Sequence, residues 1–142
     1  MPCRYHIDAD QKLLYYFCYG HSTSAELLET AIESRRDPLC SANMLILIDL
    51  LLVSELDYDM PELIKETIAE NQNRQSRGDV LEYTAIVTDS PYAEMMETTI
   101  RLIESDLPIN LNFSLSLKSA ILWLGLQEYE GEILAIPALL KI

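Results

Sequence analysis

Met44-Leu45-Ile46-Leu47-Ile48 is an apolar run with no polar alternate, and it ends in Asp49. A strand that shows one face to water alternates. One without alternation is covered on both faces, as in the middle of an α/β sheet. The run therefore predicts the central strand, and the rest of the chain is placed around it. Upstream, Arg4 to Asp8 and Leu13 to Tyr19 are rich in aromatic and apolar residues and are separated by Asp8-Ala9-Asp10-Gln11-Lys12, which has turn chemistry. They read as a β-hairpin whose second strand ends at Gly20. Thr23 or Ser22 can cap a helix with Glu26 in its first turn and Leu27, Leu28, Ala31 and Ile32 as its apolar face, stopping before Pro38.

Downstream of Asp49, the segment Leu50 to Met60 reads as an unusually apolar loop with an acidic end. Pro61 suits the first turn of a helix to about Gln75, since that position needs no backbone N–H. Glu82 to Thr88 reads as a strand, and Asp89-Ser90-Pro91 starts a helix that carries Met96, Thr99, Ile100 and Ile103 to about Glu104. After Pro108, Ile109 to Leu115 alternates, and Ser116 caps a short helix with Leu117, Ala120, Ile121 and Leu124. The order is β-β-α-β-α-β-α-β-α, an α/β fold with a mixed sheet and helices packed on it. Residues 1–142 read as one domain. Its apolar tail, residues 131–142, needs burial as a return strand, as a docked segment or in a dimer contact.

The charge narrows the partners. Twenty-three acidic against 10 basic side chains give a formal net charge of −13, and the only adjacent basic pair is Arg35-Arg36. Nucleic acid and anionic membrane surfaces, which are bound by clustered Lys and Arg, are excluded as partners. Hydrophobic residues make up 49% of the chain, enough for a core and against disorder. The strongest apolar run, Met44 to Val53, is about ten residues and interrupted by Asp49, where a membrane helix needs about 20. The N-terminus lacks a signal-peptide pattern. Cys3, Cys18 and Cys40 are odd in number and irregularly spaced, which argues for buried thiols over a disulfide framework or a zinc site. Cytoplasmic localisation is expected.

Catalytic groupings are missing from the sequence. His6 and His21 are the only histidines, no nucleophile elbow accompanies them, and the four glycines are scattered. No catalytic, cofactor-binding or metal-ligating residue is assigned, and an enzyme is not expected. The distinctive position is Asp49, at the carboxyl end of the central strand, where α/β sheets usually bind ligands and partners. Its carboxylate can accept N–H bonds from the segment that follows and fix it. Alternatively, Asp49, Ser54, Asp57, Tyr58 and Asp59 form one face that a partner reads.

At these residues the chain resembles the STAS domain, the fold of the bacterial anti-sigma-factor antagonists, and more closely the SpoIIAA-like proteins of unknown function. The resemblance rests on the element order, Tyr19-Gly20-His21, Ile48-Asp49-Leu50 followed by Val53, Ala85-Ile86-Val87, and the closing stretch Ser116 to Leu124. It implies a regulatory, non-catalytic protein-interaction module. In the antagonists an Asp-Ser-Ser-Gly run carries a phosphorylated serine. The matching run here is Asp57-Tyr58-Asp59-Met60, which keeps the aspartate and loses both serines and the glycine. Phosphate cannot be added there as in the antagonists. A carrier of a small apolar or lipid-like ligand is the alternative, from Leu50 to Leu56, the tail, and the topological likeness of STAS to CRAL-TRIO lipid-binding domains. Either reading includes a homodimer through the tail. Acidic residues concentrate at Glu55, Asp57, Asp59, Glu62, Glu66 and Glu70 against Lys65 alone, which suits a basic or neutral protein partner.

Overall fold

In a computed structural model, which describes residues 3–41, 44–58, 62, 66, 69, 83–101 and 110–140, the apolar run opens a strand at the centre of a mixed sheet. The strands are β1 (Cys3–Asp8), β2 (Leu13–Thr23), β3 (Leu45–Asp57), β4 (Tyr83–Val87) and β5 (Asn110–Ser114). Among the described residues they lie side by side in chain order, with β1 antiparallel to β2 and every other neighbouring pair parallel. The helices are α1 (Ser24–Arg35), α2 (Ser90–Arg101), α3 (Leu117–Trp123), α4 (Glu130–Leu134) and α5 (Ile136–Leu140), with a 3-10 turn at Gln127–Tyr129. The expected α/β class and central strand are both found. Glu62, Glu66 and Ala69 are helical, in agreement with a helix after Pro61. The remainder of that stretch, and the expected helix end at Glu104, Pro108 and Ile109, lie outside the described residues.

The chain steps in one direction across the sheet, and right-handed crossovers, the general rule for parallel strands, then deliver α1 and α2 to a single face. Leu27 of α1 and Met96 of α2 accordingly share a buried cluster with Cys3, Cys18, Leu50, Val53 and Ile86. The opposite face carries Leu13, Tyr15, Phe17, Leu47, Ala85 and Val87. It is covered by Ala120, Ile121, Leu124, Leu126, Ile133 and Ile136, from α3 onward. The apolar tail is thus docked within its own chain as helices, in place of a return strand. Pro137 explains the break between α4 and α5: it has no N–H to bond the Ile133 carbonyl, and its ring would clash with that group. At the end of α3, Gly125 (φ 76°) donates to Leu122 O and Leu126 donates to Ile121 O, a Schellman ending.

Two strand ends differ from expectation. Gly20 takes φ 65° inside β2 and bends the strand without ending it, so β2 runs on to Thr23, which is itself the N-cap of α1 and accepts from Glu26 N. Leu50 to Asp57, expected as loop, is strand. Between the pairs Phe17↔Asp49 and Tyr19↔Leu52, β3 uses one residue more than β2, and it does so again between Gly20↔Val53 and His21↔Glu55. These are β-bulges. The first shifts the phase of β3, so that Val53, three residues beyond Leu50, returns to the same cluster.

The buried stripe of α1 is Ser24, Leu27, Thr30 and Ser34, whereas Ile32 is exposed. The hydroxyls can be inside because they are satisfied there. Thr30 donates to Glu26 O, Ser34 Oγ donates to Ala31 O, and Ser34 Oγ lies 2.6 Å from Tyr16 Oη. At the far end of the sheet Leu115 falls just past β5 and is exposed.

Candidate functional site

Asp49 sits where the first bulge begins. Because Leu47 faces the C-terminal helices, Asp49 two residues on projects to the same face, and only 3% of it is exposed. One carboxylate oxygen accepts the Tyr15 hydroxyl at 2.6 Å, and the other accepts the Leu51 N–H at 3.1 Å. Both acts are structural. A bulge leaves a backbone donor off the ladder, and Asp49 takes up the N–H of Leu51 inside it. Tyr15 is fully buried on the adjacent strand, and its phenol is held protonated far above the ordinary range, first by burial and then by the negative charge of Asp49. The expected anchoring of the following segment by Asp49 is therefore present, with the segment a bulged strand.

The other proposed partner residues divide. Ser54 and Asp57 are exposed, Tyr58 is half-buried, and Asp59 lies outside the described residues. Asp49 points inward under α3 to α5, so it does not belong to one face with Ser54 and Asp57. What the sheet does assemble is an acidic edge at the carboxyl ends of β2 and β3. His21, register partner of Glu55, places Nδ1 3.8 Å from Glu55 Oε2 and Nε2 3.8 Å from Asp57 Oδ2. All three side chains are more than half exposed. At that exposure the pairs add little stability, about 0–1 kcal/mol each, and leave the carboxylates open to a competing cation. Glu62 and Glu66 are also exposed on one helical stripe, four residues apart.

Tyr58 turns the other way. Its hydroxyl is 2.9 Å from Ser22 Oγ, and burial raises its phenol far above the ordinary range, with further contributions from Cys18 and Cys3. Ser22 is fully buried and lies 3.6 Å from Cys3 Sγ. Tyr58 thus closes a buried polar cluster and offers a partner only part of its surface.

One surface feature had no sequence signal. Tyr83, the first residue of β4, and Trp123, the last of α3, bring their rings to 6.0 Å between centroids, and both remain substantially exposed. They belong to elements far apart in sequence, so only the folded sheet brings them together.

Among the described residues no group of three or more His, Cys, Asp or Glu is placed to hold a metal ion, and no helix is long and apolar enough to cross a membrane.

Comparison with protein-family models and with curated proteins finds no match. Among solved structures, the chain is similar to an uncharacterised protein of the DUF3478 family with a SpoIIAA-like fold, from Shewanella loihica PV-4. The two share 18% identity over 86% of this chain and 91% of the other, with a TM-score of 0.49.

Proposed function

We propose that this chain is a non-catalytic, STAS-like regulatory module that binds a protein partner through the acidic edge at the carboxyl ends of β2 and β3. The observation that carries this reading is the exposure of Glu55 and Asp57 around His21, at the end of the sheet where α/β proteins most often bind. A net charge of −13 steers a basic or neutral partner surface toward that edge. In the run that matches the phosphorylated loop of the antagonists both serines are lost and Asp59 supplies a fixed negative charge, so binding here is not switched by phosphate at that position.

The apolar-carrier reading gains no support of its own. Leu50, Val53, Ile133 and Ile136, from the segments on which it rested, are buried in the two core faces. Affinity capture with the full chain from its native host tests the leading proposal. A specific partner should be retained at low salt by the wild type and lost with Glu55→Gln, Asp57→Asn and Asp59→Asn combined. Recovery of no specific partner, or of the same partner by the neutralised variant, refutes it.

A further inference from the structure

Cys3 and Cys18 are directly opposed across the antiparallel β1/β2 pair. Opposed residues in such a pair have Cα atoms about 4.5 or 5.5 Å apart, depending on the pair type, and both spacings fall within the range a disulfide spans. The two Sγ atoms are already 2.7 Å apart, within about 0.7 Å of bonding distance. Both thiols are free, and both are buried. We infer that Cys3 and Cys18 are a reversible dithiol site that a hydroperoxide converts into a cross-strand disulfide, with Cys3 the attacking sulfur and Cys18 the resolving one.

The roles follow from position and surroundings. Cys3 is the first residue of the outermost strand, where local opening is least costly, whereas Cys18 lies within β2 between two strands. Hydrogen bonding with Cys18, with a smaller contribution from Ser22, lowers the Cys3 thiol pKa against the opposing effects of burial and the Glu26 carboxylate. The Cys18 thiol is pushed up, first by its hydrogen bond with Cys3 and then by burial. The pair thus shares its proton in the sense that favours Cys3 as thiolate, the nucleophilic form.

In the first step the Cys3 thiolate attacks one oxygen of hydrogen peroxide. An S–O bond forms, the O–O bond breaks, and the departing hydroxide takes up the thiol proton as water. In the second, the Cys18 sulfur attacks the sulfenic Cys3 sulfur. The S–S bond forms, the S–O bond breaks, and the hydroxide leaves as water with the Cys18 proton. Two thiols lose two electrons and two protons, and one peroxide becomes two waters. Thiol exchange with a small reductant reverses the bond. Oxidation also removes Cys3 as a partner of Ser22, whose hydroxyl reaches Tyr58 at the end of β3. The dithiol therefore bears on the residue next to the acidic edge, although it does not depend on any partner there.

The test uses the reduced full chain, treated with hydrogen peroxide under native conditions, then alkylated in denaturant and weighed intact. Of three alkylatable thiols, two should be lost with a mass decrease of two hydrogens, while Cys40 is still alkylated. Trypsin should then release the peptide ending at Arg4 joined to Leu13–Arg35. Cys40→Ser should behave as wild type, and Cys18→Ser should accumulate a dimedone-reactive sulfenic acid on Cys3. Retention of all three thiols, sulfinic acids on unlinked Cys3 and Cys18, or a disulfide through Cys40 overturns the inference. The wild-type peptide map decides this even if a serine variant fails to fold.

Discussion

Removing the carboxylate of Asp49 should destabilise the fold by about 3 kcal/mol or more, although the residue stands where a ligand-binding aspartate would be sought. Asp49→Ala deletes a hydrogen bond from a carboxylate to the Tyr15 hydroxyl, of a kind that contributes about 1.5–3 kcal/mol. It also deletes one from the Leu51 amide, worth about 1 kcal/mol. The Tyr15 hydroxyl is left in a fully buried position, so its desolvation is uncompensated. For a chain of 142 residues a loss of 3 kcal/mol lowers Tm by about 10 °C. Tyr15→Phe removes only the first bond and should cost about 1.5–3 kcal/mol. Asp49→Asn should be milder than Asp49→Ala, because its amide can still accept from Leu51. Urea unfolding followed by circular dichroism and by the single tryptophan, Trp123, gives each value with m unchanged. In a double-mutant cycle, Tyr15→Phe and Asp49→Ala should couple by about 1 kcal/mol or more. An Asp49→Ala variant within about 0.5 kcal/mol of wild type, or strict additivity in the cycle, would show that Asp49 does not hold the bulge.

Gly20→Ala and Gly125→Ala should each cost about 1–2 kcal/mol, because both glycines have positive φ while an added Cβ meets nothing within 4 Å; melting curves read this, and an Asn at either position should lose less. Stability should fall as pH rises above about 10. Burial raises the phenols of Tyr15, Tyr16 and Tyr58 above their unfolded value, so the unfolded state binds fewer protons there and the gain present at lower pH is lost. Absorbance at the phenolate band should show these three titrating only with unfolding, whereas Tyr5 titrates near 12 in the folded chain; ionisation of all eight tyrosines near 10 would contradict the packing. A homodimer formed through the exposed side chains of the tail, Leu134 and Leu139, should give twice the monomer mass in light scattering at micromolar concentration and revert to monomer with Leu134→Glu and Leu139→Glu.

The central strand was legible because Ile46 and Leu47 had to be covered on opposite faces, and no other element type explains that pattern as simply. The bulges were not. A single inserted residue leaves no compositional mark, and Leu50-Leu51-Leu52-Val53 reads the same with or without it. The stripe of α1 was legible in part, through Leu27 and Ala31, but Ile32 is exposed, and Thr30 and Ser34 look like surface residues until their hydroxyls are seen to bond inside. Asp49 was recognisable as a special position, but its inward direction depends on the phase of β3. The opposition of Cys3 and Cys18 follows from counting five residues back from each side of the Asp8↔Leu13 closing pair, so it waited only on the register of the turn.

Because α1 and α2 are delivered to one side of the sheet, the cover described on the other side comes from α3 to α5, a segment made after β5. While that segment is still within the ribosome, the nascent chain holds a sheet whose Tyr15, Phe17 and Leu47 face water, and it cannot complete its fold however slowly it is translated. A stop codon placed before Ser116 would then yield a chain handled by chaperones and proteases as unfolded, with all five strands of the sheet intact in sequence.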